Sequence, residues 1–186
     1  MNQNATGMAT APTTAAEIGD ERADLLAMLA EKRRLLRSTA RDLTDEQAGL
    51  RPTASELCIG GLIKHVSAGE RNWANFITQG PSAMRDFAAM TESDLAEWAL
   101  QFRMLPGENL ADILDEYADA ACRTDELIAT LPDLAATQPL PKAPWFEDGA
   151  AWSARRVIMH ITAETAQHCG HADIIRESLD GAKSMG

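Results

Sequence analysis

Four stretches of helical periodicity, each closed by its own stop signal, constrain this chain more than any other feature. The first runs from about Glu21 to Arg41, with Leu25, Leu26, Met28, Leu29, Leu35 and Leu36 recurring at helical spacing between charged residues. The second is expected to open near Ser55, a favourable N-cap, and to end at Gln79-Gly80-Pro81. Its stripe contains Leu57, Leu62, Val66, Trp73 and Phe76. The third spans about Glu108 to Thr130, carries Leu110, Ile113, Leu114, Tyr117, Ala121 and Leu127, and stops at Leu131-Pro132. The fourth starts near Ser153, reaches about Leu179 and closes at Asp180-Gly181. Helices of this kind bury their stripes against one another. The pattern therefore predicts an all-α fold, a four-helix bundle with a long crossover between the second and third helices.

The intervening segments are informative too. Thr44-Asp-Glu-Gln47 has the form of a capping box opening a short turn. Gly60 and Gly61 weaken the second helix locally, and a close packing partner is one reason to tolerate them. The connection from Pro81 to Pro106 holds a short helix beginning at Thr91, with Leu95, Trp98 and Phe102. Pro132, Pro139, Pro141 and Pro144 mark an irregular loop with Trp145 and Phe146 near its end, and loops of that length are often functional. Trp145 and Phe146 are placed over a site mouth or, as the plainer expectation, packed onto the bundle.

The 186 residues suit one domain, expected over 17–186, behind a disordered tail over 1–16 that is rich in Ala and Thr and lacks charged side chains. That tail has neither the basic start nor the apolar stretch of a signal peptide, so a cytoplasmic location is expected. The net charge of -11 disfavours nucleic acid and anionic membranes as partners. No apolar run approaches the roughly 18–20 residues of a membrane span. Cys58, Cys122 and Cys169 are an odd, widely spaced set that gives no disulfide framework, and they are expected to be structural or incidental.

The four histidines fall in two places. His65 is alone on the second helix, whereas His160, His168 and His171 share the fourth with Glu164. A helical residue turns by about 100°, so positions i, i+4, i+8 and i+11 stay within an arc of about 80°. His160, Glu164, His168 and His171 therefore share one face, beside Val157, Ile161, Ile174 and Ile175. Glu164 and His168, four apart, can converge on one ion. Spacing alone equally allows a simple hydrogen-bonded pair, and a lone His65 equally reads as a satisfied core histidine.

Leu62-Ile-Lys-His65-Val-Ser-Ala-Gly-Glu70-Arg-Asn-Trp73 resembles the second helix of the DinB-like superfamily. Glu164-Thr-Ala-Gln-His168-Cys-Gly-His171-Ala-Asp-Ile-Ile-Arg176-Glu177 resembles its last helix, and is the more specific of the two. The likeness covers roughly 17–181. It implies an up-down-down-up bundle, often dimeric, that binds a divalent ion through one histidine of the second helix and a pair four apart on the fourth. By position these are His65, Glu164 and His168. Glu at 164, where many relatives have His, resembles the thiol-using branch that contains mycothiol-dependent maleylpyruvate isomerase. That isomerase carries an additional C-terminal domain, so its own reaction is not expected of this chain.

Two His and one Glu form a known catalytic zinc set with room for a further ligand. Nickel, iron or manganese also suit these donors, zinc or nickel first. Such an ion favours the deprotonated form of what binds beside it, so the expected activity is a metal-dependent thiol S-transferase using a low-molecular-weight thiol such as mycothiol and a small electrophile. The alternatives are a metal-dependent hydrolase and a non-enzymatic, metal-stabilised binding or stress-response module. No GxSxG, HExxH or phosphate-cradling loop offers another route. His171 and Arg176 are candidate cosubstrate contacts. His160 is placed as a neighbour of the ligands or as core, Asp173 as a lesser substrate contact, and Glu70 as solvent-facing.

Overall fold

The computed structural model describes residues 15–87 and 89–185, with side chains from residue 21 onward. The fold is mostly helical. Its elements are α1 (Ala15–Thr39), α2 (Asp45–Gly49), α3 (Ile59–Gln79), α4 (Glu92–Ala99), α5 (Leu110–Thr130), β1 (Thr137–Pro139), β2 (Ala151–Ser153) and α6 (Ala154–Asp180). Short 3-10 turns cover Gly80–Ala83 and Leu100–Phe102. The first fourteen residues of the expected tail lie outside the described residues.

Helix starts follow local chemistry. Thr44 and Gln47 form the expected capping box at α2, and Ser153 caps α6, accepting from Arg156 N–H. Asn109 caps α5 and Thr91 caps α4 through a second box with Asp94. The start of α3 differs from expectation. Ser55 Oγ accepts from Leu57 N–H in a local turn, and Cys58 is the N-cap, its Sγ accepting from Gly61 N–H at 3.4 Å. At the far end of α6, Gly181 adopts φ 80°, the left-handed geometry that glycine takes without penalty.

The long helices pack α1 on α6, α6 on α3 and α3 on α5. Their stripes form two apolar clusters. One contains Leu36, Ile59, Leu62, Ile63, Tyr117 and Ala172, and the other contains Leu29, Phe76, Ile128, Val157, Ile158 and Ile161. Met28, placed in the first helix's stripe from spacing, and Ile174, read as an apolar neighbour of the histidine face, are 48% and 62% exposed. Glu70 is corrected in the opposite direction. It is 2% exposed, and both its oxygens face Arg33 of α1, whose Nη1 also donates to Asp125 of α5 at 2.7 Å. Glu70 is expected to face solvent, because a lone carboxylate is costly to bury, but it shares the face of Val66 and Trp73 and its charge is satisfied by a partner 37 positions earlier.

The proline-rich loop is partly ordered into a hairpin, with Thr137, Gln138 and Pro139 opposite Ser153, Trp152 and Ala151. Strands of three residues are too short to show alternation, which is why sequence reading gave only a loop. Gln138 Nε2 donates to Ile77 O at 3.3 Å, tying the hairpin to the end of α3.

Candidate metal and substrate site

His65 of α3 and Glu164 and His168 of α6 converge, one ligand atom from each lying within 4.8 Å of the others. His168 Nε2 is 3.7 Å from Glu164 Oε2, beyond hydrogen-bond reach. The His65 and His168 rings meet edge to face at 4.8 Å. Two imidazoles and a carboxylate thus share a small chamber of about 80 Å³, lined also by Glu70, Trp73, Ile161 and Thr165. Each imidazole can turn an unprotonated nitrogen and Glu164 a carboxylate oxygen toward the common space, and such a donor set suits a divalent cation.

Burial first, then the neighbouring His168, lowers the pKa of His65 below its ordinary 6.5, with Gln101 and Glu164 opposing. His65 Nδ1 and Gln101 Nε2 are buried without a hydrogen-bond partner among the described residues. Glu164 titrates below its ordinary 4.5 because the neighbouring His168, 3.7 Å away, favours its carboxylate form, against the opposing effect of burial. Both shifts favour the ligating forms, neutral imidazole and carboxylate, at neutral pH.

His171 Nδ1 lies 3.3 Å from His168 Nδ1, so it contacts the nitrogen of His168 that points away from Glu164. His160 is held edge-on by Trp73 at 4.7 Å and Trp152 at 5.1 Å. Burial lowers its pKa, so it is a neutral imidazole in the cleft wall. Arg176 is not brought to the site. Its Nη1 donates to the carbonyls of Thr39 at 2.8 Å and Arg41 at 2.6 Å, closing the end of α1, and its other donors hold Asp180. Asp173 is likewise engaged, accepting from Ser184 N–H at 2.8 Å.

Outside the chamber opens a cleft of about 510 Å³, with His65 and Glu164 in its floor and His160 in its wall. Its walls come from the loops on either side of α5. Phe102 stacks on His65 at 4.1 Å, Trp98 meets Phe102 at 5.4 Å, Phe87 meets Trp98 at 6.1 Å and Trp145 meets Phe87 at 4.8 Å. An unbroken series of ring contacts thus runs from the triad to the loop tip. Trp145 and Phe146 are among the residues that line this cleft. Phe87 and Gln101 were not foreseen from sequence. The long connection that holds them, with its scattered aromatics, was the one available signal.

The cysteines play local parts. Cys58 Sγ also reaches Phe102 O at 3.8 Å, Cys169 is buried with its thiol pKa pushed up by burial, and Cys122 is exposed.

Fold and site together define a helical protein with a His–Glu–His cluster between two long helices, under an aromatic cleft. The chain belongs to the mycothiol S-transferase family, a DinB-like family whose sequence profile (Mycothiol-S-transferase) matches residues 24–181. A search among curated proteins finds no match. Among the described residues no helix is long and apolar enough to cross a membrane.

Proposed function

We propose that this protein is a metal-dependent thiol S-transferase, built as an up-down-down-up bundle of α1, α3, α5 and α6. In this reading His65, Glu164 and His168 hold a divalent ion, zinc or nickel first, and a low-molecular-weight thiol of mycothiol type is the cosubstrate. The carrying observation is the convergence of those three side chains, with His65 and Glu164 also lining an aromatic cleft, in a chain of this family. When bound, such an ion supplies positive charge that favours the thiolate form of a thiol beside it.

The chain's own residues do the rest. His160, neutral in the wall, takes the proton that the thiol sulfur loses. The sulfur forms its bond to an electrophilic carbon, and the displaced electron pair leaves with the departing group, which His160 then protonates. Trp98, Trp145 and Phe87 screen the reacting atoms from water. His171 acts on His168 rather than on the thiol, and holds that ring's orientation.

The test is elemental analysis of untagged protein, with a conjugation assay on mycothiol. About one metal per chain is expected, lost in His65→Ala and His168→Ala, with thiol consumption stopping in both. Full conjugation by metal-free protein would overturn the reading, and turnover without thiol would redirect it to hydrolysis.

A further inference from the structure

The cleft concentrates what the rest of the chain has little of. The chain has four Trp, four Phe and one Tyr, and Trp73, Phe87, Trp98, Trp145 and Phe146 all line this one cleft. Its charge is equally unrepresentative. In a chain of net charge -11, the cleft's fully charged lining residues are Arg71, Arg85 and Glu164. Glu164 belongs to the triad at the floor, whereas both arginines are exposed at the rim.

Neither arginine forms an ion pair or hydrogen bond among the described residues, although Arg85 lies near enough to Asp94 to lower its pKa slightly further. The adjoining rim adds Asp86 and Lys142, one charge of each sign. Guanidinium groups left without partners, in a protein with abundant carboxylates, are available to an incoming anion. Their planar donor geometry matches a carboxylate. The aromatic side chains that line the same cleft offer flat apolar area, which favours a planar body over a sugar or a chain of polar groups.

We infer that the electrophile accepted here has a flat apolar body and carries a carboxylate. The body lies among Trp73, Trp98 and Trp145, and the carboxylate meets Arg71 and Arg85 at the rim, leaving the reactive carbon toward the triad. The inference deepens the proposed function, resting on it for the word electrophile. The binding preference itself stands on the cleft alone.

The experiment is calorimetric titration of the full chain, stripped of metal by chelator so that no ion can hold the carboxylate. The probes are 2-naphthoate and its neutral counterpart 2-naphthamide. In the native protein 2-naphthoate is expected to bind about ten-fold more tightly, the scale of one charge-assisted contact. In the double variant Arg71→Gln/Arg85→Gln that preference disappears, while 2-naphthamide binds as before, which also reports an intact cleft. Equal affinities in the native protein, no binding of either probe, or a preference that survives in the double variant would each overturn the inference. A carboxylate preference in a protein that holds no metal and consumes no thiol would sink the proposed function and leave this inference standing.

Discussion

At the residue scale, His168 is fixed from both sides. Glu164 lies beside its Nε2 at 3.7 Å, and His171 meets its Nδ1 at 3.3 Å. A ligating histidine that carries its other ring proton toward a partner keeps one tautomer and one ring orientation. Removing the partner leaves the donor set complete but loosens it. His171→Ala is therefore expected to keep about one metal per chain while weakening affinity roughly 10- to 100-fold, read by competition with a chromogenic chelator. Unchanged affinity would mean that the contact with His168 does nothing for the site. The sequence made the α6 face readable, because i, i+4 and i+7 relations survive in any straight helix. It could not separate Arg176 from the site, since that required knowing that the carbonyls of Thr39 and Arg41 end beside it.

At the element scale, the turn Leu100–Phe102 is the piece that joins the crossover to the site. Two devices seat it on α3. Cys58 Sγ bridges from the helix start to Phe102 O, and Gly61 leaves room for the turn's backbone. A Cβ at Gly61 would fall 2.0 Å from Phe102 O, and backbone cannot swing aside as a side-chain tip can. Gly61→Ala is expected to cost about 1–3 kcal/mol in denaturant unfolding, as overpacking does, and to displace Phe102 from His65. Gly170, on exposed α6 surface with nothing near its Cβ position, provides the contrast. Gly170→Ala is expected to stabilise the helix by roughly 0.5–1 kcal/mol. If both substitutions behave alike, the close approach is not what Gly61 serves. The long helices were legible because 3.6-residue periodicity and caps are local signals. The docking of the turn was not, because Gly60-Gly61 announces a close neighbour without naming it. The hairpin that carries Trp152 stayed hidden for the same reason, being set by pairing across an eleven-residue gap, 140–150.

At the scale of the whole molecule, the core is two apolar clusters meeting at a polar level, where Arg33 of α1, Glu70 of α3, Thr124 of α5 and Thr165 of α6 are buried. The triad's chamber opens at that level, with Glu70 and Thr165 in its wall. Deleting Glu70 leaves the buried Arg33 with Asp125 as its remaining partner, so Glu70→Ala is expected to cost about 3 kcal/mol, the lower end for a broken buried pair, and Arg33→Leu/Glu70→Leu to recover most of it. A double variant no more stable than Glu70→Ala would show that the pair is needed for more than mutual charge balance. The same level governs the response to acid. His65 and His160 both titrate below 6.5 because burial penalises imidazolium. The unfolded chain takes up those protons near the ordinary value, the folded one only at lower pH. Between the two values the unfolded state holds more protons, so stability is fully present above 6.5 and is lost as the pH falls through that window. Glu164, lowered from 4.5, adds a second loss further down, as its carboxylate is protonated. Chelator-treated protein should therefore show a level melting temperature above neutrality and a decline from about pH 6.5 downward, shallower in His160→Gln. If the proposed site holds, zinc should raise the neutral plateau and steepen the fall, because protons and metal would compete for the same imidazole nitrogens. A melting curve indifferent to zinc at pH 7.5 and flat to pH 5 would contradict both the burial of His65 and His160 and the proposed service of His65 as a ligand.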